Sequence, residues 1–447
     1  MNAQVVQWAA DVVAAWFDAG RAPREAIAAM PWLREAAANE RAEVARRAGQ
    51  ALAAMRRLEF GLVGARGLAA LPSRARALAL VLASAVERDE LLADGAARQF
   101  AASCGGDLDF APLLGADEAI AATADAVVRF GRRHSVPDWF ARAAIAQFGE
   151  AADGVARALA APPPRTLRAN LLRVPSREAL AAELSTEGVP TTPAVHAATA
   201  LHVLGDHDLF ATAAYRRGAF EQQDEASQLV AAVVAPPPGG KVLDLCAGNG
   251  GKTLALAAML QNRGVVMAVD VHERRLQALR ERARRAGAQN VEVHALGDGA
   301  WPAAVAAFAT HADRILVDAP CSGTGSWRRR PEGRWRVGEA DLRALARTQA
   351  DLLARGCAAL RPGARLVYAT CSLLRDENER QVERALAAAP GLELVRVAEI
   401  LGGAGSRAFT DPSGTFLSLR PDVHGCDGFF AAVLRRPRPA RPTDQRS

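Results

Sequence analysis

The sequence is short of lysine, of paired cysteines and of long apolar runs. Its two lysines are Lys241 and Lys252, and arginine supplies the remaining basic side chains apart from histidine. The six cysteines are scattered and form no CxxC pair, which argues against a disulfide framework or a zinc site and favours a reducing compartment. No stretch reaches the roughly 18 uninterrupted apolar residues of a membrane span, and MNAQVVQWAADVV lacks the features of a signal peptide. We therefore expect a cytoplasmic protein without a membrane or metal partner.

The chain is long and half hydrophobic. Its 447 residues are enough for about three domains at roughly 150 residues each. The net charge of +6 favours a polyanionic partner only weakly, because a net charge says nothing about clustering.

The order of helical and strand-like patterns predicts three domains and a tail. Apolar residues recur at helical spacing in VVQWAADVVAAWF and similar segments, which predicts an all-α domain over residues 1–150. After the proline-rich break APPPRT, RTLRANLLRV and SREALAAELSTEGV predict a small α/β connector over 160–220. A larger α/β domain is expected over 221–437 and a disordered tail over 438–447.

The larger domain alternates strand-like and helical segments. Amphipathic helices separate the first five strands, which predicts a doubly wound, mostly parallel sheet with ligands outside the carboxyl ends of its strands. The strand-like segments are KVLDLCA, GVVMAVD, NVEVHAL, DRILVDA, ARLVYAT and GFFAAVLRR.

The first of these strands runs into the glycine-rich loop DLCAGNGGKT (244–253). A P-loop would need glycine where Cys246 stands, and a dinucleotide fold would need glycine where Thr253 stands. A nucleoside such as S-adenosylmethionine needs only close backbone approach and acceptors for its hydroxyls. Asp270, at the end of the second strand, suits ribose hydroxyls in either nucleoside reading.

Two cysteines follow two other strands. Cys321 lies in DAPCSGTG, three residues after Asp318, and Cys371 lies in YATCS. The two strands are expected side by side, roughly 4.8 Å apart. Both thiols would therefore overhang the same crevice as the glycine-rich loop.

The order of the motifs DLCAGNGGKT, VMAVD, LGDG, DAPCSGTG and YATCS resembles the Sun (RsmB) family of RNA cytosine-C5 methyltransferases. QQDEASQLV and DGFFAAVL resemble the flanking motifs, so the resemblance covers at least residues 135–436. It implies a Rossmann-like class I methyltransferase domain with a seven-stranded sheet, and the preceding region is similar to a NusB-like RNA-binding domain. The family loop CAAPGGKT is altered at Gly248 and Asn249.

The resemblance also implies roles for individual residues. Cytosine C5 is a poor nucleophile until a thiolate adds to C6, and Cys371 is the implied attacking group. Asp318 would contact the ring edge, and Cys321 would promote release. The implied S-adenosylmethionine contacts are Cys246, Ala247, Gly248, Asn249, Gly250, Gly251, Lys252, Asp270, Arg275, Asp298 and Asp318.

The segment SWRRRPEGRWR (326–336) follows the Cys321 turn directly. Arginine contacts phosphate and stacks on bases, as tryptophan also does, although a charge run is usually a solvated face. The candidate RNA contacts are Trp327, Arg328, Arg329, Arg330, Arg334 and Arg336.

The expected function is methylation of C5 of a specific cytosine in small-subunit (16S) ribosomal RNA by a monomeric enzyme. Transfer RNA or another RNA is the alternative substrate. A P-loop-like NTPase and a non-catalytic RNA-binding ribosome assembly factor are alternatives of other classes. Retention of both cysteines and Asp318 argues against the non-catalytic alternative.

Overall fold

The computed structural model describes residues 2–297, 299–402 and 404–438. The chain divides into two compact units, which differ from the three predicted domains. The helical unit comprises Met1–Pro162 and Trp327–Glu339, and the sheet unit comprises the remaining described residues. The predicted tail lies outside the described residues except for Arg438.

The helical unit is built around α5, which is buried on almost every side because its sequence SRARALALVLASAVE carries apolar residues all round. Helices α1 and α4 pack on it through apolar stripes. The proline-rich stretch ends the last helix at Ala160, as its sequence predicts. The helices are α1 (Ala3–Ala19), α2 (Pro23–Ala29), α3 (Pro31–Glu35), α4 (Ala38–Val63), α5 (Ser73–Glu87), α6 (Ala93–Cys104), α7 (Ala116–Ala121), α8 (Ala126–His134), α9 (Asp138–Phe148) and α10 (Ala152–Ala160).

The segment Trp327–Glu339 belongs to this helical unit although it lies far away in the sequence. Trp327 is 1 % exposed and packs against Phe140, with ring centroids 4.6 Å apart. Arg334 is also 1 % exposed, and it donates hydrogen bonds to backbone carbonyls of three different helical regions. The Trp335 indole donates to the Leu52 carbonyl at 2.7 Å. The arginine–tryptophan run is therefore partly a packing element.

The sheet unit begins with a small antiparallel sheet in the order β2-β3-β1-β4. Its strands pack on α11, the helix predicted from SREALAAELSTEGV, around an apolar core of their own. The elements are β1 (Thr166–Ala169), α11 (Arg177–Thr186), β2 (Thr191–Pro193), β3 (Ala200–Val203), α12 (Ala213–Arg216) and β4 (Phe220–Gln222).

The large sheet has the order β10-β12-β9-β8-β5-β6-β7, with β11 paired to β12. Strands β9 through β7 in this order are parallel, whereas β12 runs antiparallel to β9. The strands are β5 (Lys241–Asp244), β6 (Val265–Asp270), β7 (Val291–Ala295), β8 (Arg314–Asp318), β9 (Arg365–Thr370), β10 (Glu393–Val395), β11 (Leu417–Leu419) and β12 (Phe429–Arg435).

Helices cover both faces of the large sheet, as the alternating pattern predicts. In β8, Leu316 faces one apolar core, while Ile315 and Val317 face the other. The six predicted strands are confirmed, and β10 and β11 were missed because three residues each carry too little pattern. The helices are α13 (Glu225–Val234), α14 (Gly251–Met259), α15 (Glu273–Ala286), α16 (Ala303–Ala309), α17 (Glu339–Ala359), α18 (Glu379–Ala388), α19 (Val397–Leu401) and α20 (Pro421–His424).

None of the helices within the described ranges combines the length and the apolar character that crossing a bilayer requires.

The buried guanidinium of Arg334 generates a stability prediction. Burial lowers the pKa of Arg334 to about 10, and its Nη1 and Nη2 groups donate to backbone carbonyls rather than to a carboxylate. Arg334→Ala would leave those carbonyls unsatisfied and open a void, so we expect the free energy of unfolding to fall by about 2–4 kcal/mol. Urea denaturation of the full chain measures this change in the free energy of unfolding.

The matched control lies in the same run. Arg330 is exposed, so Arg330→Ala should change the free energy of unfolding by no more than about 0.5 kcal/mol. Equal losses in the two variants would show that burial of Arg334 does not stabilise the unit.

Candidate active site

The parallel pairing of β8 with β9 creates the site. Asp318, the last residue of β8, lies opposite Ala369 of β9, so both strands end at the same edge of the sheet. Cys371 follows β9 directly, and Cys321 lies three residues beyond β8. Their sulfur atoms are 3.4 Å apart, which is contact distance for an S–H···S hydrogen bond. The structure thus brings together the two cysteines that the sequence places fifty residues apart.

Backbone contacts fix the turn that carries Cys321. The Gly325 N–H donates to the Cys371 carbonyl at 2.9 Å, and the Gly428 N–H donates to the Gly325 carbonyl at 2.9 Å. A Cβ on Gly325 would lie 2.2 Å from the Gly428 carbonyl oxygen, so glycine is required at this close approach. The turn is therefore bonded both to the neighbouring turn and to the start of β12.

The two thiols have opposite pKa shifts. A hydrogen bond from Cys321, aided by the positive charge of Lys252, holds the pKa of Cys371 below its usual value. The same hydrogen bond, together with burial, raises the pKa of Cys321 well above its usual value. The two shifts therefore favour ionisation of Cys371 over ionisation of Cys321. This is the ionisation state that a nucleophilic Cys371 requires.

Lys252 connects the glycine-rich loop to the cysteine pair. Its ammonium group donates to the Asp318 carboxylate at 2.7 Å and lies 4.9 Å from the centroid of the Phe429 ring. The Lys252 side chain is 9 % exposed, so little water screens this ion pair. Lys252 thus lies in the first turn of α14 with its charge directed at the edge where β8 and β9 end.

The glycine-rich loop between β5 and α14 fits a nucleoside. Gly248 has a φ of +53°, and a Cβ built on it would meet no described heavy atom within 4 Å, so a ligand can approach the backbone there. Asp270 ends the neighbouring strand β6 and accepts from the Gly248 N–H at 2.9 Å. The carboxylate also accepts from the His272 N–H at 2.8 Å. An open loop beside a strand-end carboxylate is an arrangement that can hold a nucleoside with its ribose hydroxyls on the carboxylate.

Behind the loop lies a buried acid–hydroxyl pair. The Thr253 hydroxyl donates to Asp244 at 2.7 Å, and both residues are almost fully buried. Burial raises the pKa of Asp244 to about 7, against the lowering effect of the Thr253 bond. The hydroxyl that would hold a magnesium ion in a P-loop is therefore directed into the interior.

Arg282 of α15 holds the part of the loop that departs from the family motif. Its guanidinium donates to the Asn249 carbonyl and to the buried carboxylate of Glu221 in β4. Arg285 also bonds to Glu221 but contacts Tyr215 rather than the loop. The sequence does not reveal this contact, because the spacing of residues in α15 carries no information about a carboxylate in the distant strand β4.

The remaining predicted cofactor residues have mixed positions. Ala247 is buried, and Cys246 is partly buried with a pKa that burial raises. Gly250 closes the turn by donating to the Ala247 carbonyl at 2.9 Å. Arg275 is exposed in the first turn of α15, and Asp298 lies outside the described residues.

The predicted RNA contacts do not form one solvated surface. Trp327 and Arg334 are buried in the helical unit, so their assignment to RNA is corrected to a packing role. The guanidinium of Arg336 lies over the Trp16 ring and bonds to the Gly20 carbonyl. Arg330 is exposed, whereas Arg328 and Arg329 are partly buried. The error arose because tryptophan and arginine occur in RNA-binding surfaces and in buried interfaces alike.

Within the described ranges, no group of three or more His, Cys, Asp or Glu side chains is arranged to hold a metal ion.

Comparison with known proteins places this geometry in a family. A family model described as 16S rRNA methyltransferase RsmB/F matches residues 231–435, and one described as a Methyltr_RsmF/B-like, ferredoxin-like domain matches residues 136–209. The probable ribosomal RNA small subunit methyltransferase B of Bacillus subtilis is 31 % identical over 313 residues, which are 70 % of this chain and 69 % of that protein. The chain belongs to the RsmB/F methyltransferase family.

Further relatives agree with this membership. The ribosomal RNA small subunit methyltransferase B of Vibrio cholerae is 33 % identical over 307 residues, covering 68 % of this chain and 66 % of that protein. The crystal structure of a methyltransferase homolog protein from Pyrococcus horikoshii is 28 % identical, with a TM-score of 0.59 over 70 % of this chain and 100 % of that chain. The chain is therefore an enzyme of the methyltransferase class, which argues against the P-loop-like NTPase alternative.

Arg282 allows a test of the loop contact. Arg282→Met removes a charge-assisted hydrogen bond from the Asn249 carbonyl, so we expect S-adenosylmethionine to bind roughly three- to thirtyfold more weakly in calorimetry. Arg285→Met is the control, because Arg285 shares the Glu221 carboxylate but not the loop. Equal losses in both variants would assign the effect to Glu221 instead.

The two lysines allow a test of the thiol electrostatics. Lys252→Met removes a cation that lowers the pKa of Cys371, so the thiolate fraction at neutral pH should fall. We expect iodoacetamide to alkylate Cys371 about three- to tenfold more slowly at pH 7, with the rate profile displaced to higher pH. Lys241→Met, at the exposed start of β5, should leave the profile unchanged. An unchanged profile in Lys252→Met would exclude this charge effect.

Proposed function

We propose that the enzyme methylates C5 of a specific cytosine in small-subunit (16S) ribosomal RNA through a covalent bond between Cys371 and cytosine C6. The observation that carries this proposal is the contact of two thiols with opposite pKa shifts at one strand edge. Relatives named as ribosomal RNA small subunit methyltransferases support the choice of substrate.

Cys371 begins the reaction. Its thiolate adds to C6, the electrons of the C5–C6 double bond move toward C5, and C5 becomes nucleophilic. Asp318 lies at the end of the neighbouring strand, where its carboxylate would contact the ring edge of the cytosine. The Lys252 ammonium group holds this carboxylate in place.

Cys321 completes the reaction. Its pKa is raised chiefly by its hydrogen bond to the Cys371 sulfur, which would carry the negative charge before the attack. Once that sulfur is bonded to C6, the opposing charge is gone, and Cys321 can release its proton to solvent. The resulting thiolate takes the proton from C5, the C5–C6 double bond re-forms and Cys371 leaves. The pair thus provides a nucleophile first and a base second.

S-Adenosylmethionine, held by the glycine-rich loop and Asp270, would supply the methyl group on its sulfonium. Gly248 leaves its backbone accessible, and Asp270 presents a carboxylate beside it. Lys252 joins this binding region to the cysteine pair through Asp318. The same residues therefore orient the methyl donor and the cytosine.

RNA binding is assigned to the arginines of the 326–336 run that are exposed or only partly buried. We assign phosphate contact to Arg328, Arg329, Arg330 and Arg336, and a NusB-like RNA-binding role to the helical domain predicted over 1–150. We propose a monomer in the cytoplasm, where a reducing environment would keep the two free thiols, 3.4 Å apart, from forming a disulfide.

Incubation with labelled S-adenosylmethionine and deproteinised small-subunit RNA, followed by mapping of 5-methylcytosine, tests the activity. Labelling of one cytosine is the expected result. Label on transfer RNA alone would move the substrate to the alternative RNA, and absence of label on every RNA would contradict the proposal.

Replacement of each cysteine separates their roles. Cys371→Ala cannot form the adduct, so methylation should vanish while S-adenosylmethionine still binds. Cys321→Ala should attack and transfer methyl but then stall, which leaves a protein–RNA complex that survives denaturing electrophoresis. That complex should be absent from the double variant, since residues acting as a unit are not additive.

If the stable complex forms with Cys371→Ala rather than Cys321→Ala, Cys321 is the nucleophile and Cys371 acts in release. Full methylation by both single variants would show that the two thiols have only a structural role.

A further inference from the structure

A buried carboxylate lies beneath both cysteine turns. Glu377 is 1 % exposed and lies seven residues after the end of β9. The proposed cysteine chemistry assigns no role to this residue. In the sequence, each cysteine of the pair is followed by a serine. In the structure, Ser322 and Ser372 converge on this carboxylate, and both hydroxyls donate to Glu377 Oε2 at 2.5 Å.

The other carboxylate oxygen is also occupied. Glu377 Oε1 accepts from the Ser322 N–H at 2.9 Å and from the Gln349 side-chain amide at 2.9 Å. The same Gln349 amide donates to the Pro320 carbonyl at 3.0 Å, just before Cys321. One carboxylate thus accepts four hydrogen bonds, and two of them come from Ser322, the residue directly after Cys321.

The Cys371 turn is held from the same point. The Tyr368 hydroxyl donates to the Glu377 carbonyl at 2.5 Å, and the adjacent Asn378 amide donates to the Ser372 carbonyl at 2.9 Å. The Thr324 hydroxyl, in the Cys321 turn, accepts from the Leu373 N–H at 2.8 Å. Hydrogen bonds therefore join the two turns directly and through Glu377.

The charge of Glu377 acts unequally on the two sulfurs. It contributes to raising the pKa of Cys321, after the larger effects of the Cys371 hydrogen bond and burial. For Cys371 the main influences are the Cys321 hydrogen bond, burial, Asp318, Lys252 and Ser326. A negative charge that raises the pKa of one thiol of a coupled pair favours ionisation of the other thiol.

We propose that Glu377 is a positioning residue of the two-cysteine site: it holds the Cys321 and Cys371 turns together, and its charge keeps the reactive thiolate on Cys371. The proposal deepens the proposed function and rests on it for the assignment of Cys371 as nucleophile. Glu377 does not reach the substrate, and it acts through Ser322, Ser372 and the electrostatics of the pair.

The test measures which cysteine reacts. In the full chain without RNA or cofactor, limited alkylation by iodoacetamide followed by peptide mass spectrometry gives the ratio of modified Cys371 to modified Cys321. Glu377→Gln keeps the size of the side chain and removes its charge. We expect this ratio to fall about tenfold, the change that one pKa unit produces. The maximal methylation rate should fall while S-adenosylmethionine affinity stays the same.

The matched control is Glu225→Gln. Glu225 is 2 % exposed and accepts from the backbone N–H groups of His196 and Ala197, so it is another buried carboxylate of the sheet unit. The alkylation ratio should be unchanged in this variant. An equal change in both variants, or an unchanged ratio in folded Glu377→Gln, would overturn the proposal.

Two serine variants keep the test valid if Glu377→Gln does not fold. Ser322→Ala and Ser372→Ala each remove one hydroxyl from Glu377 Oε2 and leave the charge in place. Each should slow methylation at unchanged cofactor affinity, and the double variant should lose less than the product of the two effects. Fully additive effects would show that the serines do not act through one carboxylate.

The alkylation measurement is independent of the proposed function. A protein that methylates no tested RNA but shows the expected alkylation ratios would contradict the proposed function and leave the role of Glu377 intact. Methylation of the expected cytosine with an unchanged alkylation ratio in Glu377→Gln would support the proposed function and contradict the role of Glu377.

Discussion

The parallel pairing of β8 with β9 is the constraint on which the rest of the site depends. The register that sets Asp318 opposite Ala369 ends both strands at one edge, and the two turns then bring Cys321 and Cys371 into sulfur contact. A shift of one residue along either strand would turn alternate side chains to the other face and separate the thiols. The apolar cores on both faces of the sheet stabilise this register, so the packing of the domain and its chemistry share one origin.

Charge within the site is distributed so that few groups lack a partner. Lys252 is paired with Asp318, and the buried Glu377 carboxylate is surrounded by donors. Buried charge is costly without such partners, because little water screens it. Between these compensated charges lie the two thiols, whose pKa values are shifted in opposite directions.

The helical unit shows where pattern and packing diverge. The run of arginine and tryptophan after the Cys321 turn has the composition of a nucleic-acid surface, yet Trp327 and Arg334 are interior residues of that unit. Arginine can be buried when backbone carbonyls accept from its planar donors, and the carbonyls that bond to Arg334 come from three separated regions. Composition records the side-chain type, whereas the choice between surface and interior depends on partners that are distant in the chain.

The sequence by itself determined the alternation of the large domain, the six principal strands, the glycine-rich loop and the pair of strand-end cysteines, because these features are local patterns with fixed spacing. It did not determine the short strands β10 and β11, the return of Trp327–Glu339 to the helical unit, or the bond from Arg282 to the loop. Nor did it reveal that Ser322 and Ser372 share the carboxylate of Glu377. Those contacts join residues far apart in the chain, and only the burial of both partners in one folded core brings them within hydrogen-bonding distance.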